Sequence, residues 1–382
     1  MDPFSMEEFC SDYYSRKPLL IPKCPGKFEN LFGWKSFNRI LNSSPIPHPT
    51  MIMALEGRQV IPTDANSIVE RCREGASLII EEVHKYDEVL GRFVAELAKE
   101  IGEPARVNIY FSQPMHRGYN RHYDTHDIFI LQLAGYKGWQ VFDATIEFPL
   151  FVQKSHATVP PAIPRLECTL EAGDVLYIPR GHWHEATAQV EPSLHLTLGI
   201  YARTGIDFMS WLTDELRDDV RWRKAFPLIL SEDTGAITEI DLARLEHLEK
   251  LKELLVEKLS GPALLNDYHK FCIAQVEKVG PFAFPSQLLQ VPSISRQTRF
   301  TRPSYQQVFL EENANLGMLE VTVWGKVLRF SMPAAEVLRR IFLASTFTGD
   351  EAARFAPELS WSDIATVLSS LVQEEIIQVQ QT

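Results

Sequence analysis

Between residues 105 and 201 the chain is a close succession of short β-type runs, and this stretch limits the possible folds more than any other. Residues 107–111 (VNIYF), 128–133 (IFILQL), 139–142 (WQVF), 175–178 (VLYI) and 194–200 (LHLTLGI) are rich in β-branched and aromatic side chains. Turn signals separate them: Ala134-Gly135, Ala172-Gly173-Asp174 and Pro179-Arg180-Gly181. Several short strands at such spacing predict a jelly-roll sandwich or barrel.

The flanking regions read differently. Residues 1 to 104 are mixed α/β, with a short buried strand at 18–22 (PLLIP) and helical spacing over 67–73 and 89–101. Phe93, Leu97 and Ile101 share one helix face, and Gly102 to Pro104 ends that helix. Past Thr204 the pattern is helical, over 206–217 and again over 240–259. Thr238 and Asp241 suit a capped start for the second helix. Its leucines at 242, 245, 248, 251, 255 and 259 recur at spacings of three and four, which suits either an intramolecular bundle or pairing with a second subunit. Residues 280–303, rich in proline, serine and arginine, read as a linker. The order of strands and helices in 305–382 is that of a winged helix, but five cations face ten carboxylates there. Such a surface repels phosphate, so a structural or protein-contact wing is expected and direct DNA binding is not. The predicted division is 1–205 (jelly-roll core 105–202), 206–300 and 301–382, an α+β chain.

Size and charge agree with this division. A chain of 382 residues exceeds one ordinary hydrophobic core, and its net charge of -12 disfavours bulk electrostatic attraction to nucleic acid. An acidic surface favours a basic partner. No run approaches the roughly 18–20 apolar residues that span a bilayer, and residues 1–3 (MDP) do not begin a signal peptide. The five cysteines are scattered without a Cys-x-x-Cys, which suggests free thiols in a reducing, cytoplasmic setting.

Seven of the 11 histidines lie between His116 and His195. In a strand, residues two apart share a face, so His122 and Asp124 can meet one metal while Tyr123 turns away. A third ligand is sought in a later strand, where His182 and His184 are the candidates. Two imidazoles and one carboxylate form the facial triad of non-haem Fe(II), which leaves coordination positions open. A cupin isomerase would instead carry His-x-His followed by glutamate, unlike residues 122–128 (HYDTHDI).

Residues 122–132 (HYDTHDIFILQ), 135–139 (GYKGW), 173–186 (GDVLYIPRGHWHEA) and 193–197 (SLHLT) resemble the JmjC-type, cupin-like ribosomal oxygenases over nearly the whole chain. The resemblance implies a double-stranded β-helix (cupin, jelly-roll) core, then a helical dimerisation segment and a winged-helix-like domain. It implies Fe(II), 2-oxoglutarate and O2 as cofactor and cosubstrates, with His122, Asp124 and His184 as metal ligands and His182 as a pocket residue. Lys137 then matches the base that pairs with the distal carboxylate of 2-oxoglutarate, Asn108 and Tyr110 the polar pair that helps hold it, and Thr197 an added hydroxyl. Gly199 departs from relatives that carry serine. Asp127 matches an acidic position with a substrate-contact or structural role. His126 and His116 are read as loop or pocket-rim groups and His195 as a satisfied core histidine. Arg121, Tyr123 and Trp183 are candidates for the substrate entrance. The implied activity is hydroxylation of an arginine or histidine side chain in a basic, ribosomal protein by a homodimer with no membrane association. Alternatives are the same chemistry on a peptide natural product or small molecule, and a non-catalytic metal-binding cupin.

Overall fold

The computed structural model describes residues 2–24, 26–43, 50–116, 118–155, 158–228, 239–277 and 294–380. The expected start of the 240–259 helix at Thr238 and most of the 280–303 linker lie outside them. The chain forms two compact units, one built around the residues up to Ala202 and the other chiefly from Arg203–Lys278 and Gln307–Thr382.

Eleven named strands make up the first unit: β1 (Leu19–Ile21), β2 (Met51–Leu55), β3 (Arg58–Val60), β4 (Ser77–Ile80), β5 (Ala105–Ser112), β6 (Asp127–Ala134), β7 (Lys137–Ala144), β8 (Leu166–Leu170), β9 (Val175–Ile178), β10 (His182–Ala188) and β11 (Ser193–Ile200). Eight form one sheet in the order β1-β9-β6-β11-β5-β4-β2-β3, and three form a second in the order β10-β7-β8. Every pairing is antiparallel. Such a two-sheet arrangement is what the strand spacing predicts, but the large sheet also recruits β1 to β4 from the region before residue 105.

Strand alternation explains why the large sheet holds two cores. Along β11, Leu194, Leu196, Leu198 and Ile200 join Val107 and Ile109 of β5 in a core with Phe37 and Ile40 of helix Trp34–Ser43 and Leu90 and Val94 of helix Glu88–Ile101. The intervening residues of β11 and β5 point the other way. There, Ile128 and Ile130 of β6 and Leu176 of β9 meet Trp139, Val141 and Leu170 of the small sheet. Burying each large apolar side chain contributes roughly 1.5–3 kcal/mol, so both faces of the sheet are held in register. The helix at Glu88–Ile101 begins where Asp87 accepts a hydrogen bond from the Leu90 N–H and stops at Gly102, whose φ of 75° suits a glycine. Gly135, in the β6–β7 turn, is required twice: its φ is 69°, and an added Cβ would stand 2.2 Å from the Pro192 carbonyl oxygen.

In the second unit, helix Gly205–Leu216 packs Trp211 and Leu212 on Leu264 of helix Leu264–Ala274, with Leu255 of helix Glu239–Leu259 partly buried beside them. That long helix divides its leucines: Leu242, Leu245 and Leu248 are 58, 55 and 49% exposed. The C-terminal part combines a three-stranded sheet, β13 (Phe309–Asn313), β14 (Met318–Val323) and β15 (Lys326–Ser331), with helices Ala335–Leu343, Gly349–Phe355 and Trp361–Gln373 around one apolar core. A further small sheet sets β12 (Arg299–Thr301) between β16 (Thr346–Thr348) and β17 (Gln378–Val379). No helix among the described residues is long and apolar enough to cross a membrane.

Candidate metal centre and its cavity

His122 and Asp124 do not lie in a strand as expected. They occupy the extended segment before β6, where His122 forms an isolated bridge with His184 of β10. The His122 N–H donates to the His184 carbonyl (3.1 Å), the His184 N–H donates to the His122 carbonyl (2.7 Å), and the Gly181 N–H donates to the Asp124 carbonyl (2.8 Å). These bonds bring one ligand atom from each of His122, Asp124 and His184 within 4.8 Å of one another, so a single metal ion can be held.

The donor chemistry suits a divalent cation. His122 Nδ1 lies 2.8 Å from the Asn120 carbonyl and His184 Nδ1 3.2 Å from the His182 carbonyl. A carbonyl only accepts, so each Nδ1 must carry the proton, which leaves the Nε2 lone pair for a metal. Burial, reinforced by His122, lowers the His184 pKa to about 4, so that ring is neutral at ordinary pH. Burial pushes the Asp124 carboxyl up, but the nearby imidazoles of His184, His122 and His126 outweigh it and hold the pKa below its usual value. Asp124 therefore brings the negative charge and His184 a neutral nitrogen.

His182 stands apart from this set. The β10–β7 register shifts between His182 and His184, and such a bulge breaks the two-residue alternation that would put both rings on one face. His182 is absent from the residues lining the cavity, and its charged neighbours are Asp143 and Arg165. Reading it as a pocket residue is thus corrected. Tyr123 and Trp183 are corrected too: neither lines the cavity, and both are buried in a small cluster with Phe142. There the Tyr123 hydroxyl donates to the Gln153 carbonyl (3.1 Å) and the Trp183 indole to Thr145 Oγ1 (2.9 Å).

A cavity of about 530 Å³, counting its open mouth, runs from the triad between the two sheets. Its walls include Tyr110, Lys137, Trp139, His195 and Thr197. Lys137 is only 6% exposed, so it is no solvated turn lysine. Its ammonium donates to Ser112 Oγ (3.0 Å), which lies 2.9 Å from Ser77 Oγ. Burial alone lowers the Lys137 pKa to about 7. An ammonium offers three donors, and no carboxylate among the described residues forms an ion pair with it. Such a group has donors free to meet an anion.

Other positions have distinct placements. Asn108 is outside the cavity wall; its Oδ1 accepts from the Glu82 N–H (2.9 Å). Asp127 is buried and accepts from the Tyr177 hydroxyl (2.6 Å), which is a structural tie. His126 stacks on Tyr201 with centroids 4.3 Å apart. A Cβ at Gly199 would stand 2.8 Å from the His126 ring, so that ring occupies the space where a serine would project. His116 is an exposed loop residue against Gly75. His195 is not a satisfied core histidine: it lines the cavity, stacks on Tyr110 at 4.9 Å, and its Nδ1 lacks a hydrogen-bond partner. Trp139, Ser112 and Ser77 escaped the sequence reading, although alternation along β7 from Lys137 points to Trp139 and along β5 from Tyr110 to Ser112.

Comparison with known proteins agrees with this geometry. Residues 84–208 match the JmjC domain model. Ribosomal oxygenase 1 of Gallus gallus is 28% identical over 274 residues, 66% of this chain and 46% of that protein. The Homo sapiens protein of the same name is 31% identical over 66% of this chain and 43% of its own length. The bifunctional lysine-specific demethylase and histidyl-hydroxylase NO66 of Aedes aegypti is 27% identical over 69% and 45%. This chain thus spans about half the length of these curated relatives. Among solved structures, Escherichia coli ycfD aligns over 99% of this chain and 98% of its own with a TM-score of 0.67 at 16% identity. A YcfD complex described as a ribosomal oxygenase with cobalt and 2-oxoglutarate aligns over 99% of both chains with a TM-score of 0.61 at 16% identity. Residues 84–208 carry a JmjC domain, on a chain related in sequence to the ribosomal oxygenases and in fold to YcfD.

Proposed function

We propose that this chain is an Fe(II)- and 2-oxoglutarate-dependent oxygenase that hydroxylates an unactivated C–H bond of a protein side chain. The observation that carries this reading is one cavity with a three-ligand metal centre on its wall and, farther in, a buried lysine lacking an anion. His122, Asp124 and His184 would hold the iron, and three ligands leave open positions. When bound, iron and 2-oxoglutarate supply the oxidising power for O2-dependent hydroxylation, with succinate and carbon dioxide as coproducts. The protein's own residues bind and orient. Lys137 receives the distal carboxylate, Tyr110 and Thr197 form the neighbouring wall, and Ser112 steadies the ammonium. Ile128, Ile130 and Trp139 restrict water.

The test is anaerobic addition of Fe(II) and 2-oxoglutarate to the full chain. A weak visible charge-transfer band is expected, and bound iron without that band would overturn the reading. The depressed Lys137 pKa adds a pH dependence. Below pH 7 the ammonium is already charged, whereas above it binding a carboxylate must take up a proton. Affinity for 2-oxoglutarate should therefore fall about tenfold per pH unit above 7, measured calorimetrically with Co(II) in place of iron. A flat profile from pH 7 to 9 would contradict this.

The substrate class follows from the relatives named ribosomal oxygenase and from the net charge of -12. We infer an arginine or histidine side chain of a basic ribosomal protein, modified in the cytoplasm. Intact-mass screening of ribosomal proteins for one added oxygen tests it. We also infer a homodimer through helix Glu239–Leu259, supported by its exposed leucines, with the C-terminal winged-helix-like part as a protein-contact element. Leu245→Glu with Leu248→Glu is expected to halve the mass seen by light scattering; a monomeric wild type would refute the dimer.

A further inference from the structure

Arg121 immediately precedes His122, and Glu185 immediately follows His184. The Arg121 guanidinium donates to Glu185 Oε1 through Nη2 (2.7 Å) and Nε (3.3 Å) and to the Pro161 carbonyl through Nη1 (2.7 Å). Its Cζ stands 3.8 Å from the centroid of the Phe142 ring. The two side chains are 26 and 9% exposed, so the pair is largely withdrawn from water. It spans the same two segments that the His122–His184 bridge joins.

That bridge consists of two backbone hydrogen bonds and belongs to no named strand ladder. Two such bonds contribute little net stability by themselves, yet they set the separation of two ligands whose rings lie 4.4 Å apart. A cross-strand charge pair beside the bridge restrains the same separation. Low exposure weakens screening of the pair. The fork of the guanidinium also matters: one planar group meets the carboxylate, the carbonyl and the aromatic face together, which a lysine cannot do.

We propose that Arg121 and Glu185 are positioning residues, a charged clamp that sets the spacing of His122 and His184 and ties the connection through Pro161 to them. The proposal rests on the reading of the triad as a metal centre. Co(II) titration of the full chain, followed by its visible absorption, tests it apart from turnover. Arg121→Met and Glu185→Gln are each expected to weaken Co(II) binding about 10–100-fold, the range for partners that orient metal ligands, and to shift the band. The double variant should be no weaker than the worse single variant. The exchange Arg121→Glu with Glu185→Arg should recover affinity relative to Arg121→Glu alone. Single variants within twofold of wild type, multiplying effects in the double variant, or no recovery on exchange would each overturn the clamp. A lowered melting temperature with unchanged Co(II) affinity would do the same, because it marks a merely structural pair. Should Arg121→Met not fold, Arg121→Lys carries the test: several-fold weaker Co(II) binding supports the clamp and unchanged binding overturns it. A wild-type chain that binds no Co(II) would instead defeat the metal-centre reading itself, and the clamp with it.

Discussion

Lys137→Met is expected to raise the apparent KM for 2-oxoglutarate about 100-fold while leaving Fe(II) or Co(II) affinity within twofold of wild type. Methionine keeps most of the apolar stem and removes the charge. The effect is therefore assigned to a lost charge-assisted bond in a buried site, which is worth about 3 kcal/mol or some hundredfold in binding. Ser112 cannot compensate, because a hydroxyl brings no charge to a carboxylate. The two readouts separate because Lys137 is on β7, whereas the triad comes from the segment before β6 and from β10. An unchanged KM would remove Lys137 from the cosubstrate site. A parallel loss of metal affinity would mean that the substitution disturbs the whole cavity.

His184→Ala should abolish metal binding at micromolar concentrations and with it all 2-oxoglutarate turnover. Removing one of three ligands should exceed the roughly 10–100-fold loss caused by disturbing a ligand's hydrogen-bonded partner. The His184 side chain is nearly enclosed and its neutral ring contributes no ion pair at pH 7, so the fold should survive with a modest loss from the cavity left behind. His182→Ala is the matched control. It stands two residues away and is similarly buried, but it lies outside the ligand set. Calorimetric titration with Co(II) decides: equal losses at the two positions would show that burial, and not coordination, accounts for the result.

The β-strand stretch was legible because each run alternates and each turn carries glycine or proline. Residues 107–111, 128–133 and 194–200 fall inside β5, β6 and β11, and helix 89–101 starts one residue late against Glu88–Ile101. Harder to see were β4 (SLII) and β2 (MIMAL), which are short apolar runs without alternation, since both are nearly covered on each face. Strand β10 (HWHEATA) was expected only through the search for a third ligand and not from its pattern: its polar residues are buried in or beside the candidate site, where function replaces the usual apolar pattern.

By itself, the sequence determined the type of scaffold and the candidate chemistry. Strand periodicity requires stacked sheets, and His122, Asp124 and one later histidine supply the right donor atoms. Strand spacing left His182 and His184 both open and the family resemblance chose His184; the tertiary structure groups His184 with the other two ligands and adds a bulge that no propensity signals. It also decided that Lys137 is buried without an ion-paired carboxylate, that Asn108 accepts from the Glu82 N–H and Asp127 from the Tyr177 hydroxyl outside the cavity wall, and that Arg121 pairs with Glu185. The physical reason is common to all four. A side chain's identity states what bonds it can make, but its charge state and partners depend on which residues the fold packs around it. Those neighbours are 25 to 64 positions away in the chain for Asn108, Asp127, Lys137 and Arg121.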